Sequence, residues 1–179
     1  YEPGSTFKII TLAMALEEGR VSLADSFYCP GTVSVIGRTN PIRCWKYGGH
    51  GSQTLTQAVQ HSCNVAFVNI GQRVGAETFY KYCEGFGFLK LTEDKDANLT
   101  ATTGIDLAGE SGSIWWSQNT FYSEKNLSQL AAASFGQTFT ITPLQLITAV
   151  SACVNGGRLM QPYVVESMLN PDGTDAFRH

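Results

Sequence analysis

Tyr1-Glu2-Pro3-Gly4-Ser5-Thr6-Phe7-Lys8 runs without a break into Ile9-Ile10-Thr11-Leu12-Ala13-Met14-Ala15-Leu16, a segment that leaves almost no polar face. That pattern predicts a helix buried on most sides, with Gly19 placed to end it. Residues three apart share one helix face, so Ser5 and Lys8 are neighbours at the helix start. A serine hydroxyl is a poor nucleophile until a base takes its proton, and a lysine beside it serves if partial burial lowers its pKa. Unpaired N–H groups at a helix start add positive potential that favours an alkoxide and an oxyanion. SxxK is a short pattern, and a capping serine with a lysine reaching to water gives the same spacing. Two features favour chemistry. A lysine inside an apolar helix is costly unless it has a partner, and Pro3-Gly4 makes a tight approach that exposes Ser5.

Ser62-Cys63-Asn64 lies 57 positions after Ser5, at a joint between two helical patterns. Thr54 caps one helix through His61, and the apolar run from Val65 to Ile70 continues a second towards Val74. A hydroxyl and a carboxamide one residue apart can leave a loop in the same direction. In acyl transfer the hydroxyl passes a proton to a leaving nitrogen, and the carboxamide holds a substrate amide or the lysine. Capping of the two helix ends by Ser62 and Asn64 is the alternative.

Residues 27–53 carry Pro30, Gly31, Gly37, Pro41 and Gly48-Gly49-His50-Gly51 with no helical period, which reads as a long ordered loop with short strands. Ala76 to Glu84 forms a helix closed by Gly85, and Gly87 to Ser113 is turn-rich. A helix begins at Asn126 or Ser128 and runs through Ala133. Thr142-Pro143 starts another that reaches about Val154 before Asn155-Gly156-Gly157. Tyr163 to Leu169 has strand composition and Asn170-Pro171-Asp172-Gly173 is a turn, which predicts a strand that turns back without a partner. The expected organisation is a helical part over about 1–157 and the start of an incomplete antiparallel sheet over about 158–179.

With 179 residues, 43% hydrophobic and 15% charged, the chain can bury one sizeable core. The formal net charge of −3, without a run of either sign, gives no electrostatic attraction to nucleic acid or an anionic membrane. No stretch approaches the roughly 18 apolar residues that mark a membrane span, so the polypeptide as given is expected to be soluble. Its abrupt beginning suggests a piece of a longer gene product. Five cysteines, at 29, 44, 63, 83 and 153, form an odd set without CxxC spacing or a nearby cluster of histidines. That argues against a structural zinc site. Cys29 and Cys44 flank a turn-rich segment whose ends either are joined by a disulfide in an oxidising compartment or carry two free thiols.

The blocks Tyr1-Glu2-Pro3-Gly4-Ser5-Thr6-Phe7-Lys8, Gly49-His50-Gly51, His61-Ser62-Cys63-Asn64, Thr103-Gly104-Ile105-Asp106-Leu107 with Gly109-Glu110, Ser134-Phe135-Gly136-Gln137 and Thr142-Pro143-Leu144-Gln145 occur in that order. Together they resemble the transpeptidase domain of class B penicillin-binding proteins, most closely the sporulation and division types of Gram-positive bacteria. SxxK and SxN belong to a joint signature with a third element, Lys-Thr-Gly. The resemblance implies an α+β, β-lactamase/transpeptidase-like fold, represented here mainly by its helical subdomain. It makes Ser5 the acylated nucleophile, Lys8 its base, Ser62 the proton relay and Asn64 a substrate ligand. Gln137 and Thr142 are structural in that reading, His50 and His61 have loop or core roles, and Asp106 and Glu110 are scaffold. The implied partners are peptidoglycan stem peptides, β-lactams and other cell-wall synthesis proteins. The implied location is a membrane-anchored parent with its catalytic domain outside the cytoplasm, and the chemistry needs no metal or cofactor.

No Lys-Thr-Gly, Lys-Ser-Gly or His-Thr-Gly occurs in the sequence. In the family that motif binds the substrate carboxylate and supplies the second oxyanion-hole N–H, so the chain is expected to hold half of a catalytic site. An exposed, sheet-facing side of its helices is expected to favour dimers. A serine β-lactamase or carboxypeptidase, and a non-catalytic β-lactam sensor or scaffold module, are the competing readings.

Overall fold

The computed structural model describes residues 1–178. A single 3-10 turn over Gly4–Phe7 leads into α1, Lys8–Glu17. Phe7, Ile10, Thr11, Met14 and Ala15 form its buried face, while Ile9 and Leu16 are exposed, so the helix is two-sided and less enclosed than its composition predicts. Gly19 ends it at φ +60°. The core gathers round Phe7, whose ring lies 4.8 Å from Phe139, 5.3 Å from Phe88 and 6.2 Å from both Phe79 and Trp115. Each such pair adds about 0.5–1.5 kcal/mol beyond burial itself.

Helix α2, Leu55–Gln60, starts at a capping box made by Thr54 and Gln57, and α3, Asn64–Val74, follows after a short joint. Beyond α4, Ala76–Gly85, the chain is largely irregular up to α5, Gln118–Phe121, a four-residue helix capped by Ser117 that no periodicity could announce. Then come α6, Ser128–Ala133, and α7, Pro143–Val154, whose Thr142 and Gln145 form a second capping box. α3 packs against both α1 and α6. A Cβ on Gly71 would lie 1.8 Å from Ser134 Oγ, so α3 and α6 approach as closely as they do because Gly71 has no side chain. Ile147 and Val154 of α7 remain exposed, as Ile9 and Leu16 of α1 do.

The segment read as a loop with short strands is a two-tiered antiparallel finger. β1, Ser26–Cys29, pairs with β4, Gly51–Thr54, with Cys29 opposite Gly51, and β2, Thr32–Val33, pairs with β3, Ile42–Arg43. Phe27 and Cys29 alternate inward from β1, as a half-buried strand requires. Near the chain's end, β5, Ser167–Leu169, pairs with β6, Asp175–Arg178, in an exposed hairpin. Two expectations are corrected there. The strand does have a partner, and it starts at 167 because the N–H groups of Val164 and Val165 are donated to the Asp106 carboxylate at 2.7 and 2.8 Å and not to a ladder. The α+β, mainly helical class stands, with its antiparallel pairs in small two-stranded pieces.

Gly136 is where the fold is least tolerant. It adopts φ +81°, and a Cβ there would lie 2.0 Å from the Gly4 carbonyl oxygen. Gly136→Ala is therefore expected to lower stability in urea unfolding by at least about 2 kcal/mol. Gly157→Ala, at φ +85° with open space around it, is expected to cost only about 1 kcal/mol of backbone strain. Equal losses would show that the contact with Gly4 carries no weight.

Candidate active site

The segment from Tyr1 to Gly4 is held from one side by residues 136–141. The Gly4 N–H donates to the Gly136 carbonyl at 2.8 Å, the Thr138 N–H donates to the Glu2 carboxylate at 2.9 Å, and the Ile141 N–H donates to the Tyr1 carbonyl at 3.1 Å. Gly4 turns the chain at φ +58°. Ser5 is thereby presented to solvent at the first turn while Lys8, one turn on, is 4% exposed. Thr6 turns its hydroxyl back onto the Pro3 carbonyl at 2.7 Å and closes the same turn.

The opposite wall is the joint between α2 and α3. Ser62 sits at φ +48°, in the left-handed region, a conformation that costs a non-glycine residue about 1–3 kcal/mol. Its N–H and that of Cys63 are bonded to the carbonyls of Val59 and Ala58, which fixes the reversal, and Cys63 then starts α3. Asn64, the first residue of α3, donates its amide to the Arg43 carbonyl of β3 at 3.3 Å.

Lys8 joins the two walls. Its Nζ lies 3.2 Å from Ser5 Oγ, 2.9 Å from Ser62 Oγ, 2.8 Å from the Ser62 carbonyl oxygen and 2.7 Å from Asn64 Oδ1. The Phe67 ring adds a face 5.3 Å away. Burial lowers the Lys8 pKa from 10.5 to about 8, partly opposed by the thiolate forms of Cys44 and Cys63. Proton counting then orders the network. A neutral amine has two N–H donors and one lone pair. The Ser62 carbonyl and Asn64 Oδ1 can only accept, so they take the two protons. The lone pair is left for a hydroxyl, either Ser5 or Ser62, and with Ser5 as donor the lysine is in place to remove its proton.

A sequence profile described as the penicillin binding protein transpeptidase domain matches residues 1–176. This chain belongs to the penicillin-binding protein transpeptidase family. It is 45% identical over 172 residues to stage V sporulation protein D of Bacillus subtilis, covering 96% of this chain and 24% of that protein. Among solved structures it resembles the D,D-transpeptidase domain of a peptidoglycan glycosyltransferase from Eggerthella lenta, with TM-score 0.79 and 30% identity over 100% of this chain and 42% of the other. It also resembles penicillin-binding protein PBP2 in its complex with MreC from Helicobacter pylori, with TM-score 0.72 and 26% identity over 91% of this chain and 29% of the other. The chain spans about a quarter of the length of the curated relatives it matches.

Within this transpeptidase domain the structure brings together all four residues singled out in the sequence, Ser5, Lys8, Ser62 and Asn64. The remaining family blocks lie around them as support. Glu110 accepts from the Thr103 N–H and hydroxyl and from the Gly104 N–H, at 2.7, 2.6 and 3.0 Å, and Thr142 caps α7. The Gln137 N–H closes the end of α6 on the Ala132 carbonyl. His61 places Nδ1 3.0 Å from Gln53 Oε1, and His50 stacks on it with centroids 4.9 Å apart. All five cysteines are free, so Cys29 and Cys44 form no disulfide. They are not scattered either. Cys29, Cys44, Cys63 and His50 converge within 4.8 Å. Cys63 is the middle residue of the SxN motif, so the cluster adjoins the Lys8 network. Cys29, Cys44 and His50 come from the finger, whose ends pair, and Cys63 from the start of α3.

A role for Lys8 as base requires its neutral form, and with its pKa lowered to about 8 the neutral fraction grows as pH rises through that value. The rate of Ser5 acylation by a chromogenic β-lactam is expected to climb between pH 7 and 9. Lys8→Arg, which stays charged, is expected to lose at least about 100-fold in rate together with that pH dependence. A flat profile in the unaltered protein would remove Lys8 as the base.

Proposed function

We propose that the protein containing this chain is a peptidoglycan D,D-transpeptidase working through an acyl-Ser5 intermediate. The observation that carries the reading is the placement of Lys8 Nζ within hydrogen-bond reach of Ser5, Ser62 and Asn64. Lys8 takes the Ser5 proton as Oγ attacks the carbonyl of the penultimate D-Ala of a stem peptide. N–H groups of the first helical turn have no intrahelical acceptor, and that of Ser5 faces the developing oxyanion. As the C–N bond breaks, the proton passes from Lys8 through the Ser62 hydroxyl to the departing D-Ala nitrogen, leaving an ester on Ser5. Asn64 fixes Lys8 through its oxygen and orients the substrate amide. The amine of a neighbouring stem peptide then attacks the ester and returns the proton by the reverse route, forming the cross-link and freeing Ser5.

β-Lactams enter as mimics of the D-Ala-D-Ala amide, and among the described residues no carboxylate is hydrogen-bonded to Ser5, Lys8, Ser62 or Asn64. A carboxylate that activates water, one route to hydrolysis, is therefore not part of this network. Lys-Thr-Gly, which the joint signature adds to SxxK and SxN, does not occur among the 179 residues, and the activity is proposed for the protein that contains this chain. The similarity to stage V sporulation protein D supports a role in sporulation-linked wall synthesis, and the PBP2–MreC complex supports work alongside other cell-wall proteins. A membrane anchor with this domain outside the cytoplasm fits those roles. Among the described residues no helix is long and apolar enough to cross a membrane.

Incubation of a chain extended through Lys-Thr-Gly with a fluorescent penicillin is expected to give a stable adduct, mapped to Ser5 by peptide mass spectrometry and absent from Ser5→Ala. Rapid loss of the adduct would indicate hydrolysis, and no adduct in the extended protein would end the transpeptidase assignment.

A further inference from the structure

Lys8 meets α3 at two places one turn apart. Its Nζ donates to Asn64 Oδ1 at 2.7 Å and stands over the ring of Phe67, 5.3 Å from the centroid. Residues three apart on a helix share a face, so one side of α3 presents both groups to the amine. Phe67 is buried at 1% exposure, and no ring pair among the described residues includes it. Stacking in the core round Phe7 therefore does not account for the way its face is turned. We propose that Phe67 is a positioning residue of this active site, whose ring face stabilises the ammonium that Lys8 becomes when it takes the Ser5 proton. The inference rests on the transpeptidase reading and adds to it a residue that acts through Lys8.

An aromatic ring carries negative potential on its face, and a cation within about 6 Å of the centroid is attracted to it, more strongly where water is excluded. A neutral amine feels no comparable attraction. The ring thus favours protonated Lys8 and works against burial, which lowers the pKa to about 8. Both influences serve the reaction. A general base has to be neutral near the working pH and still basic enough to keep the proton it receives. Burial supplies the first property and the ring the second. As the bond from Ser5 Oγ to the acyl carbon forms, the Oγ proton moves to the Nζ lone pair, and the ammonium then has three N–H groups. The Ser62 carbonyl, Asn64 Oδ1 and Ser62 Oγ are placed to accept them, at 2.8, 2.7 and 2.9 Å. No carboxylate among the described residues is hydrogen-bonded to the amine, so the positive charge is met by neutral oxygens and by this ring.

Three other titratable groups share the electrostatics of this amine. Cys44, after β3, and Cys63, at the start of α3, raise the Lys8 pKa in their thiolate forms. Burial pushes the Cys63 thiol up to about 12, so it is neutral where Lys8 titrates. Burial raises Cys44 as well, but backbone N–H groups of Lys46 and Asn64 bring it below its ordinary value. His50 is lowered by burial and then by the charges of His61, Lys46 and Lys8, which leaves it neutral above pH 7. All three stay the same when only the ring of residue 67 is altered. A movement of the Lys8 titration across such a series therefore belongs to the ring.

The test replaces Phe67, in the chain extended through Lys-Thr-Gly, by mono-, tri- and pentafluorinated phenylalanine, which weaken the negative face stepwise at nearly constant size, and compares Phe67→Leu. Lys8 is titrated by NMR of carbon-13 lysine, its signal assigned by its absence from Lys8→Arg. The Lys8 pKa is expected to fall with each added fluorine, reaching a shift of about 0.5–1 unit for the pentafluorinated ring and for Phe67→Leu. The midpoint of the acylation rate against pH, measured with a chromogenic β-lactam, is expected to move down by the same amount, with a lower plateau above it. A ring that only fills space would change the rate and leave both midpoints in place. Midpoints that stay fixed or rise across the fluorinated series would overturn the proposal, whether or not Phe67→Leu folds. The NMR titration needs no reaction at Ser5, so failure of the ring effect and failure of the transpeptidase reading give different results.

Discussion

Everything chemical in this domain depends on keeping one amine out of water. A lysine buried in a helix face is expensive to charge, and the fold offsets that expense by supplying oxygen partners from a segment more than fifty residues away. Three of them, with Ser5 Oγ from the same helix, surround Nζ, so that two partners can only accept and two hydroxyls can do either. Remove the joint between α2 and α3 and Lys8 loses three of those partners. Remove Lys8 and the left-handed Ser62 loses the contact that its strained backbone serves. The two motifs are therefore one structural unit, although the sequence separates them.

That unit is braced by close backbone approaches, not by charge pairs. Gly136 against Gly4 sets the position of the nucleophile's turn, and Gly71 against Ser134 sets the separation of α3 from α6. Thr11 of α1 donates to the Ser134 carbonyl at 3.0 Å, so the same short stretch touches both the nucleophile's helix and the helix that carries Asn64. The two ion pairs among the described residues, Arg73 with Asp25 and Arg178 with Asp175, are on the surface, where such pairs contribute little. Glycine at these places does what no larger residue could, because each contact is backbone to backbone or backbone to a short side chain.

The helices and their ends were legible because their signals are local. Thr142-Pro143 and Thr54 announce caps, and the capping boxes form with Gln145 and Gln57 as spacing requires. The pairing of Ser5 with Lys8 was legible for the same reason, since residues three apart on a helix are neighbours whatever surrounds them. Ser62 and Asn64 were legible only through a resemblance, as nothing local says that their joint folds back on α1. The convergence of Cys29, Cys44, Cys63 and His50 was not read from the sequence, because the pairing of β1 with β4 helps to gather them, and counting Cys-x-x-Cys spacings is blind to side chains that come from separate elements. The strand expected from Tyr163 failed for a physical reason too. Its first N–H groups found a carboxylate before they could find a partner strand.

The two hydroxyls around Lys8 have a consequence for direction. In the proposed acyl transfer, either can donate to the amine's lone pair before acylation, so the hydrogen-bonded chain from Ser5 to Ser62 has two possible polarities. Once Ser5 carries an acyl group it has no hydrogen to offer, and Ser62 becomes the sole donor that a neutral Lys8 can face. Acylation thus fixes which way the proton wire points, and the second half-reaction begins from one orientation where the first had two. In that proposed cycle a single serine in a left-handed turn is the valve that distinguishes the acylated state from the free one.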